Sequence, residues 1–117
     1  MLNIHHIVCN MLQENCYVVS DETKECVIID CGVFFDKDKE ALKKYITDNQ
    51  LKPSRLLATH GHVDHNLGNA FVYDTYGLQP EVHEDDSQLI EHLPEQAAYL
   101  LNMPLEEPQP PLAPCLT

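Results

Sequence analysis

The sequence predicts one small α/β domain with a mixed sheet, and three observations lead to this prediction. The chain has 117 residues, about the length of a single globular domain. Its first third contains three short segments rich in Val, Ile, Tyr and Cys, a composition typical of strands. The following residues alternate between helical and strand patterns, in the local order strand, loop, helix.

The three N-terminal segments are predicted to be antiparallel strands in a meander. They cover Leu2 to Cys9, Asn15 to Ser20 and Cys26 to Cys31, and the breaks between them contain turn-forming polar residues. His5 and His6 are neighbours on the first strand, so they face opposite sides and cannot both bind one metal ion.

A helical pattern follows the three strands. Apolar residues between Asp36 and Gln50 recur on one face, and the predicted helix ends before Pro53. The later elements are predicted as a strand at Ser54 to Thr59, a helix at Asn66 to Tyr76 stopped by Gly77, a short strand at Glu81 to His83, and a third helix beginning at Asp86 or Ser87 and kinked near Pro94.

Charge limits the possible partners. The chain has seven Lys and Arg against 19 Asp and Glu. All seven basic residues lie within residues 1–55, whereas residues 56–117 contain ten acidic residues and no basic one. This field repels phosphate groups, so nucleic acid and anionic membrane surfaces are excluded as main partners. The apolar runs are far shorter than a membrane span, and the first ten residues lack the basic start of a secretory signal, so we expect a cytoplasmic location.

The five cysteines form an odd set without a C-x-x-C pair. Such a set argues against both a disulfide framework and a tetrahedral thiolate site. Cys9, Cys16 and Cys26 lie in Val/Ile-rich segments and are predicted to be reduced, buried thiols that pack like small apolar side chains.

Potential metal ligands are concentrated between residues 59 and 65, which read THGHVDH and lie where a strand gives way to a helix. A set of three imidazoles with a single carboxylate suits zinc or iron and does not suit calcium or magnesium, which prefer oxygen ligands. With a tight turn at Gly61, His60 and His62 can point to one metal, and Asp64 and His65 to a second one nearby. The alternative is a histidine-rich surface loop without metal.

This motif resembles the T-H-x-H-x-D-H hallmark of the metallo-β-lactamase superfamily. Three further features resemble its glyoxalase II-like hydrolases: Asn15 to Tyr17, Ile28 to Gly32, and Gly68 after the metal loop. The resemblance covers nearly all of residues 1–112. It implies the N-terminal half of an αββα sandwich, in which zinc or iron activates a water to cleave a thioester, ester, lactone or lactam.

The resemblance also implies roles for single residues. His60 and His62 match the ligands of a first metal, while Asp64 and His65 match those of a second, so one or two ions are expected. Asp64 is the predicted catalytic residue, because it would orient the attacking water. Two residues at the end of the predicted third strand keep two interpretations each. Asp30 lies near the metals or serves the strand end, and Cys31 borders the site or only packs.

Members of this superfamily are about twice as long, and their remaining ligands come from a second half that has no counterpart here. His83 and His92 lack the glycine-rich turn of the family's third ligand and are interpreted as structural. Residues 1–101 are predicted to be a half-domain, and residues 102–117, with five of the eight prolines, a connector or truncated tail.

Two functions therefore compete. The first is a metal-dependent hydrolase of a small-molecule substrate. The second is a truncated, non-catalytic half-domain that binds metal weakly. The apolar strands predict that one sheet face is left exposed. We therefore expect either a homo-oligomer or a complementing C-terminal half.

Overall fold

A computed structural model describes residues 2–10, 14–59, 66–82 and 93. Within these ranges the chain forms five strands and two helices, which confirms the predicted mixed α/β class. The elements are β1 (Asn3–Cys9), β2 (Glu14–Ser20), β3 (Glu25–Ile29), α1 (Asp36–Asp48), β4 (Lys52–Leu57), α2 (Asn69–Tyr76) and β5 (Pro80–Glu81).

The strands form one sheet in the order β1-β2-β3-β4-β5. Strands β1, β2 and β3 pair antiparallel, as the predicted meander requires. Strands β3, β4 and β5 pair parallel, and α1 and α2 connect them. The carboxyl ends of these three parallel strands therefore share one edge of the sheet, which we call the upper edge. Because β1 ends and β2 begins at this edge too, the sheet brings several connecting segments together there.

The bounds of every strand differ from the prediction by one or two residues, and for β3 and β4 the reasons are local. Strand β3 ends at Ile29 because Asp30 adopts a left-handed conformation, with φ 56°. Strand β4 begins at Lys52 and includes Pro53, which lies beside a register shift in the pairing with β3. A proline without an N–H is tolerated at such an irregularity, and the Ser54 hydroxyl there donates to the Cys26 carbonyl at 3.1 Å.

The helix boundaries also differ slightly. Helix α1 ends at Asp48 because Gln50 has a φ of 56° and the Leu51 amide donates back to the Ile46 carbonyl at 2.9 Å, as in a Schellman motif. Helix α2 begins only at Asn69, and Gly77 stops it as predicted with a φ of 72°. Neither of these helices has the length and apolarity of a membrane span. The predicted third helix, apart from Leu93, and the tail 102–117 lie outside the described residues.

The two faces of the sheet have different surroundings. One face packs with the helices around a core that includes Cys16, Val18, Ile28, Leu42 and Val72. Side chains that alternate with these point to the other side, where they are exposed or half-buried. We call this side the open face; its apolar residues are Ile4, Val8, Tyr17, Val19, Val27, Ile29 and Leu57.

Candidate metal centre

The predicted metal loop connects two described segments at the upper edge. It follows Thr59, two residues beyond the end of β4, and precedes Asn66, near the start of α2. Its four proposed ligands, which are His60, His62, Asp64 and His65, lie outside the described residues. Their arrangement stays a prediction, and the structure describes how the chain is held on either side of them.

The entry to the loop is fixed by Asp30. Its carboxylate accepts one hydrogen bond from the Thr59 amide and one from the Thr59 hydroxyl, each at 2.7 Å. The Asp30 amide donates to the Leu57 carbonyl at 2.8 Å, so the same residue also extends the pairing of β3 with β4. Asp30 is buried, and its left-handed backbone is one that Asp tolerates better than most residues. Its structural interpretation is confirmed, while its place near a metal stays a prediction.

The exit from the loop is fixed by Gly68. Its amide donates to the Cys31 carbonyl at 2.8 Å. A Cβ atom added at Gly68 would lie 2.6 Å from a Val33 methyl and 2.7 Å from the Cys31 sulfur. Only glycine allows this close approach, which explains the glycine that the sequence pattern identified after the metal loop. Asn66, the first described residue after the loop, is fully buried. Its side-chain oxygen accepts a hydrogen bond from the side-chain amide of Asn69 at 3.0 Å.

A second buried carboxylate ties β1 to the segment after β3. Asp38, in the first turn of α1, accepts hydrogen bonds from the amides of Asn10 at 3.0 Å and Phe35 at 3.2 Å. The Asn10 side chain donates to the Gly32 carbonyl at 3.0 Å. Sequence reasoning missed this cluster, because an acidic residue in the first turn of a helix is ordinarily a solvated capping residue.

The four described cysteines are free thiols and buried, as predicted for three of them. Cys9 donates to the Glu14 carboxylate at 3.3 Å, and burial followed by that carboxylate raises the pKa of the Cys9 thiol far above its usual range. A hydrogen-bonding contact with Cys31, together with burial, raises the pKa of the Cys16 thiol. Burial alone raises the pKa of Cys26 to about 11. These thiols are poor nucleophiles, and Cys31 packs against Gly68 as the packing interpretation expects.

The two N-terminal histidines face opposite sides of β1, as predicted. The His5 ring stacks on Tyr45 of α1 with centroids 3.8 Å apart, whereas His6 is tilted against Tyr17 at 6.3 Å. In the part of the chain that the structure describes, no three His, Cys, Asp or Glu side chains are grouped to hold a metal ion. His83 and His92 lie outside the described residues.

Comparison with known proteins identifies the family. The model of the metallo-beta-lactamase superfamily matches residues 9–113. The hydroxyacylglutathione hydrolase GloC of Haemophilus influenzae is 36% identical over 101 residues, which are 82% of this chain and 44% of that protein. An uncharacterised protein of Mycobacterium leprae is 40% identical over 77 residues, which are 65% of this chain and 34% of its own length.

Solved structures agree with the sequence comparison. The BLEG-1 B3 metallo-beta-lactamase superposes with a TM-score of 0.80 at 31% identity, covering all of this chain and 53% of the other. TTHA1623 in a di-iron-bound form superposes with a TM-score of 0.74 at 28% identity, covering 94% of this chain and 52% of the other. The chain thus spans about half the length of these structures, and less than half that of the curated relatives. On the extent of the family match and the agreement in fold, the chain belongs to the metallo-beta-lactamase superfamily.

Proposed function

We propose that this chain supplies one half of a metal-dependent hydrolase that cleaves a thioester, ester, lactone or lactam with metal-activated water. The observation that carries the proposal is that the chain is bound to the segment after β3 both before and after residues 60–65. Thr59 is bound to Asp30 by two short hydrogen bonds, and Gly68 lies directly on Cys31. A ligand loop held at both ends loses little further entropy when it binds a metal.

The donor chemistry fits zinc or iron. His60 and His62 would hold one ion, and Asp64 and His65 a second. Imidazole nitrogens are common ligands for both metals, and they do not suit calcium or magnesium. The di-iron form of the related TTHA1623 supports keeping iron beside zinc. When bound, such an ion lowers the pKa of a water and polarises a carbonyl group.

The other roles in the proposed reaction fall to side chains of the protein. Asp64 would orient the attacking water, and Asp30 would keep the start of the loop in place through Thr59. Their raised pKa values keep the thiols of Cys9, Cys16 and Cys26 protonated at neutral pH, so none of these three serves as a nucleophile. The relative named as a hydroxyacylglutathione hydrolase favours a thioester as the substrate class. A cytoplasmic location is part of the same proposal.

A non-catalytic half-domain is the second candidate, and the open face favours it. Its apolar side chains remain accessible, with Ile4 68% and Val8 53% exposed. A half-domain of this kind would need a partner to cover them, either a second copy or a complementing C-terminal half.

Metal analysis of the purified chain tests the proposal. We expect zinc or iron by elemental analysis, with its stoichiometry per chain fixed by parallel mass measurement. The double variant His60→Ala/His62→Ala should lose the first-site metal, because these imidazoles are its two proposed ligands. The matched control His5→Ala/His6→Ala removes two histidines from β1 and should keep the metal. Equal metal content in both variants would refute the assignment.

A further inference from the structure

The segment that follows the predicted metal loop contains a polar pair that packing alone does not require. Residues 66–70 are all buried, and two of them are asparagines, Asn66 at 0% and Asn69 at 1% exposure. Burying an amide side chain costs free energy unless it is hydrogen-bonded, and apolar groups of the same shape can replace two facing polar groups at little cost. The polar pair therefore indicates a need for direction, which hydrogen bonds supply and apolar contacts do not.

Asn66 is held at two points by one residue. The side-chain amide of Asn69 donates to the Asn66 side-chain oxygen at 3.0 Å. The backbone amide of Asn69 donates to the Asn66 carbonyl at 3.2 Å. One hydrogen bond restrains the backbone of Asn66 and the other restrains its side chain. Together they fix the direction from which the chain enters Asn66, and the residue before it is His65.

The donor of both hydrogen bonds belongs to a helix. Asn69 is the first residue of α2, and the Val72 amide of this helix donates to the Gly68 carbonyl at 3.0 Å. Gly68 in turn lies against Cys31. A support on a helix holds a functional group more precisely than a support on a loop. The asparagine pair thus connects the chain next to His65 to a rigid element.

We propose that Asn66 and Asn69 are positioning residues that hold His65 ready to bind the second metal. This inference rests on the proposed metal-dependent function. It concerns the second metal only, because the proposed ligands of the first metal, His60 and His62, lie nearer the other end of the loop. Groups that orient metal ligands by hydrogen bonds commonly contribute about 10- to 100-fold to metal affinity.

The variant Asn69→Asp isolates the hydrogen bond between the two side chains. Aspartate has nearly the shape of asparagine but no amide donor, so the bond to the Asn66 oxygen is lost. A carboxylate in the first turn of a helix is favourable for the helix. A negative charge close to a cation also increases the affinity for that cation. Charge alone therefore predicts tighter metal binding in this variant, whereas loss of the support predicts weaker binding.

Titration with Co²⁺, followed by its visible absorption, distinguishes these two effects. We expect the Asn69→Asp chain to bind one Co²⁺ at least about tenfold more weakly than the wild type, with a changed band shape. The matched control Asn49→Asp removes the donor to the Tyr45 carbonyl at 2.9 Å on an exposed helix end and adds the same charge. Its cobalt affinity and spectrum should equal those of the wild type.

A second background assigns the effect to one metal. In the His60→Ala/His62→Ala chain, Asp64 and His65 are the proposed ligands that remain. Adding Asn69→Asp to this chain should again weaken Co²⁺ binding at least about tenfold. Unchanged Co²⁺ binding in this background would contradict the link to the second metal.

The outcomes separate this inference from the proposed function. A wild-type chain that binds no Co²⁺ contradicts both. If the wild type binds Co²⁺ and Asn69→Asp binds it equally well or more tightly, only the positioning role is contradicted, and a loss of stability in urea without metal would then make the pair purely structural. If Asn69→Asp does not fold, Asn69→Ala removes the donor without adding a charge and should weaken Co²⁺ binding in the same way.

Discussion

At the residue scale, a single aspartate in an unusual conformation holds the segment that leads into the candidate site. Asp30 combines a φ of 56° with two hydrogen bonds from Thr59. A left-handed backbone costs most non-glycine residues about 1–2 kcal/mol. The energy of two hydrogen bonds to a buried carboxylate offsets this cost, so the side chain and the backbone conformation stabilise each other.

Replacement of Asp30 tests this dependence. Asp30→Ala should lower the free energy of unfolding by about 2–4 kcal/mol, because it removes both acceptors and leaves alanine in a left-handed conformation. Asp30→Asn should lose less, since asparagine keeps one acceptor and tolerates positive φ. Urea denaturation measures both changes.

The chain contains a matched control for this substitution. Asp21 accepts the same pair of hydrogen bonds from Thr23, at 2.9 Å and 2.5 Å, but on an exposed turn. Asp21→Ala should therefore destabilise the fold much less than Asp30→Ala. Equal urea midpoints for the two alanine variants would show that Asp30 has no special structural role.

At the scale of elements, the beginning of α2 is fixed by its contact with the segment after β3. A Cβ at Gly68 would approach the Cys31 carbonyl to 2.9 Å, and a backbone atom cannot move aside as a flexible side chain can. The loop that carries the proposed ligands ends just before this contact. The position of α2 relative to the sheet therefore determines where the loop leaves the upper edge.

Enlarging Gly68 should separate α2 from the sheet. Gly68→Ala should cost about 2–3 kcal/mol of stability, as overpacked sites do, and should lower the metal content of the chain. Gly77→Asn is the control, because Gly77 has a φ of 72° but open space around it, and asparagine tolerates that conformation. Unfolding in urea and elemental analysis provide the two readouts. A Gly68→Ala chain as stable as the control would contradict the close contact.

A bidentate ion pair links the neighbouring strands β4 and β5. The Arg55 guanidinium donates to both carboxylate oxygens of Glu81, at 3.0 Å and 2.6 Å. These hydrogen bonds lower the pKa of Glu81 from its usual 4.5. The pair therefore stabilises the fold above about pH 4.5, and this contribution is lost as the pH falls through the lowered pKa.

The pH dependence of this pair can be isolated by substitution. Glu81→Gln should unfold at a lower urea concentration than the wild type at neutral pH. The difference between the two midpoints should shrink once the pH falls below the pKa that Glu81 has in the folded chain. A difference that stays constant across the acid range would show that Glu81 acts by packing and not by charge.

Features set by neighbouring residues could be predicted from the sequence, whereas contacts between residues far apart in the sequence could not. The meander of β1 to β3 follows from local strand patterns, and Gly77 is a local stop signal for α2. The predicted end of α1 was too late, because Gln50 adopts a left-handed conformation and glutamine is not a residue type that signals one. The hydrogen bond from the Asn10 amide to the Asp38 carboxylate could not be predicted, because no local pattern connects residues that are 28 positions apart.

At the scale of the whole molecule, the number of proposed ligands limits the activity that we expect of these 117 residues. A catalytic zinc site usually has three protein ligands and a water. The proposed loop offers two side chains to each metal, so each site is at least one ligand short. The solved relatives are about twice as long, and additional ligands can therefore come from a second half.

We therefore expect the isolated chain to hold metal weakly and to hydrolyse a generic thioester slowly at most. Mild chelation should remove the metal, and adding the C-terminal half of a relative such as GloC, fused or as a separate chain, should raise turnover. Thiol release from the substrate measures the rate. The His60→Ala/His62→Ala chain with the same added half serves as the control and should stay inactive. Fast, chelator-sensitive turnover by the 117-residue chain alone would contradict the ligand count, and would mean that His83, His92 or a second copy completes the site.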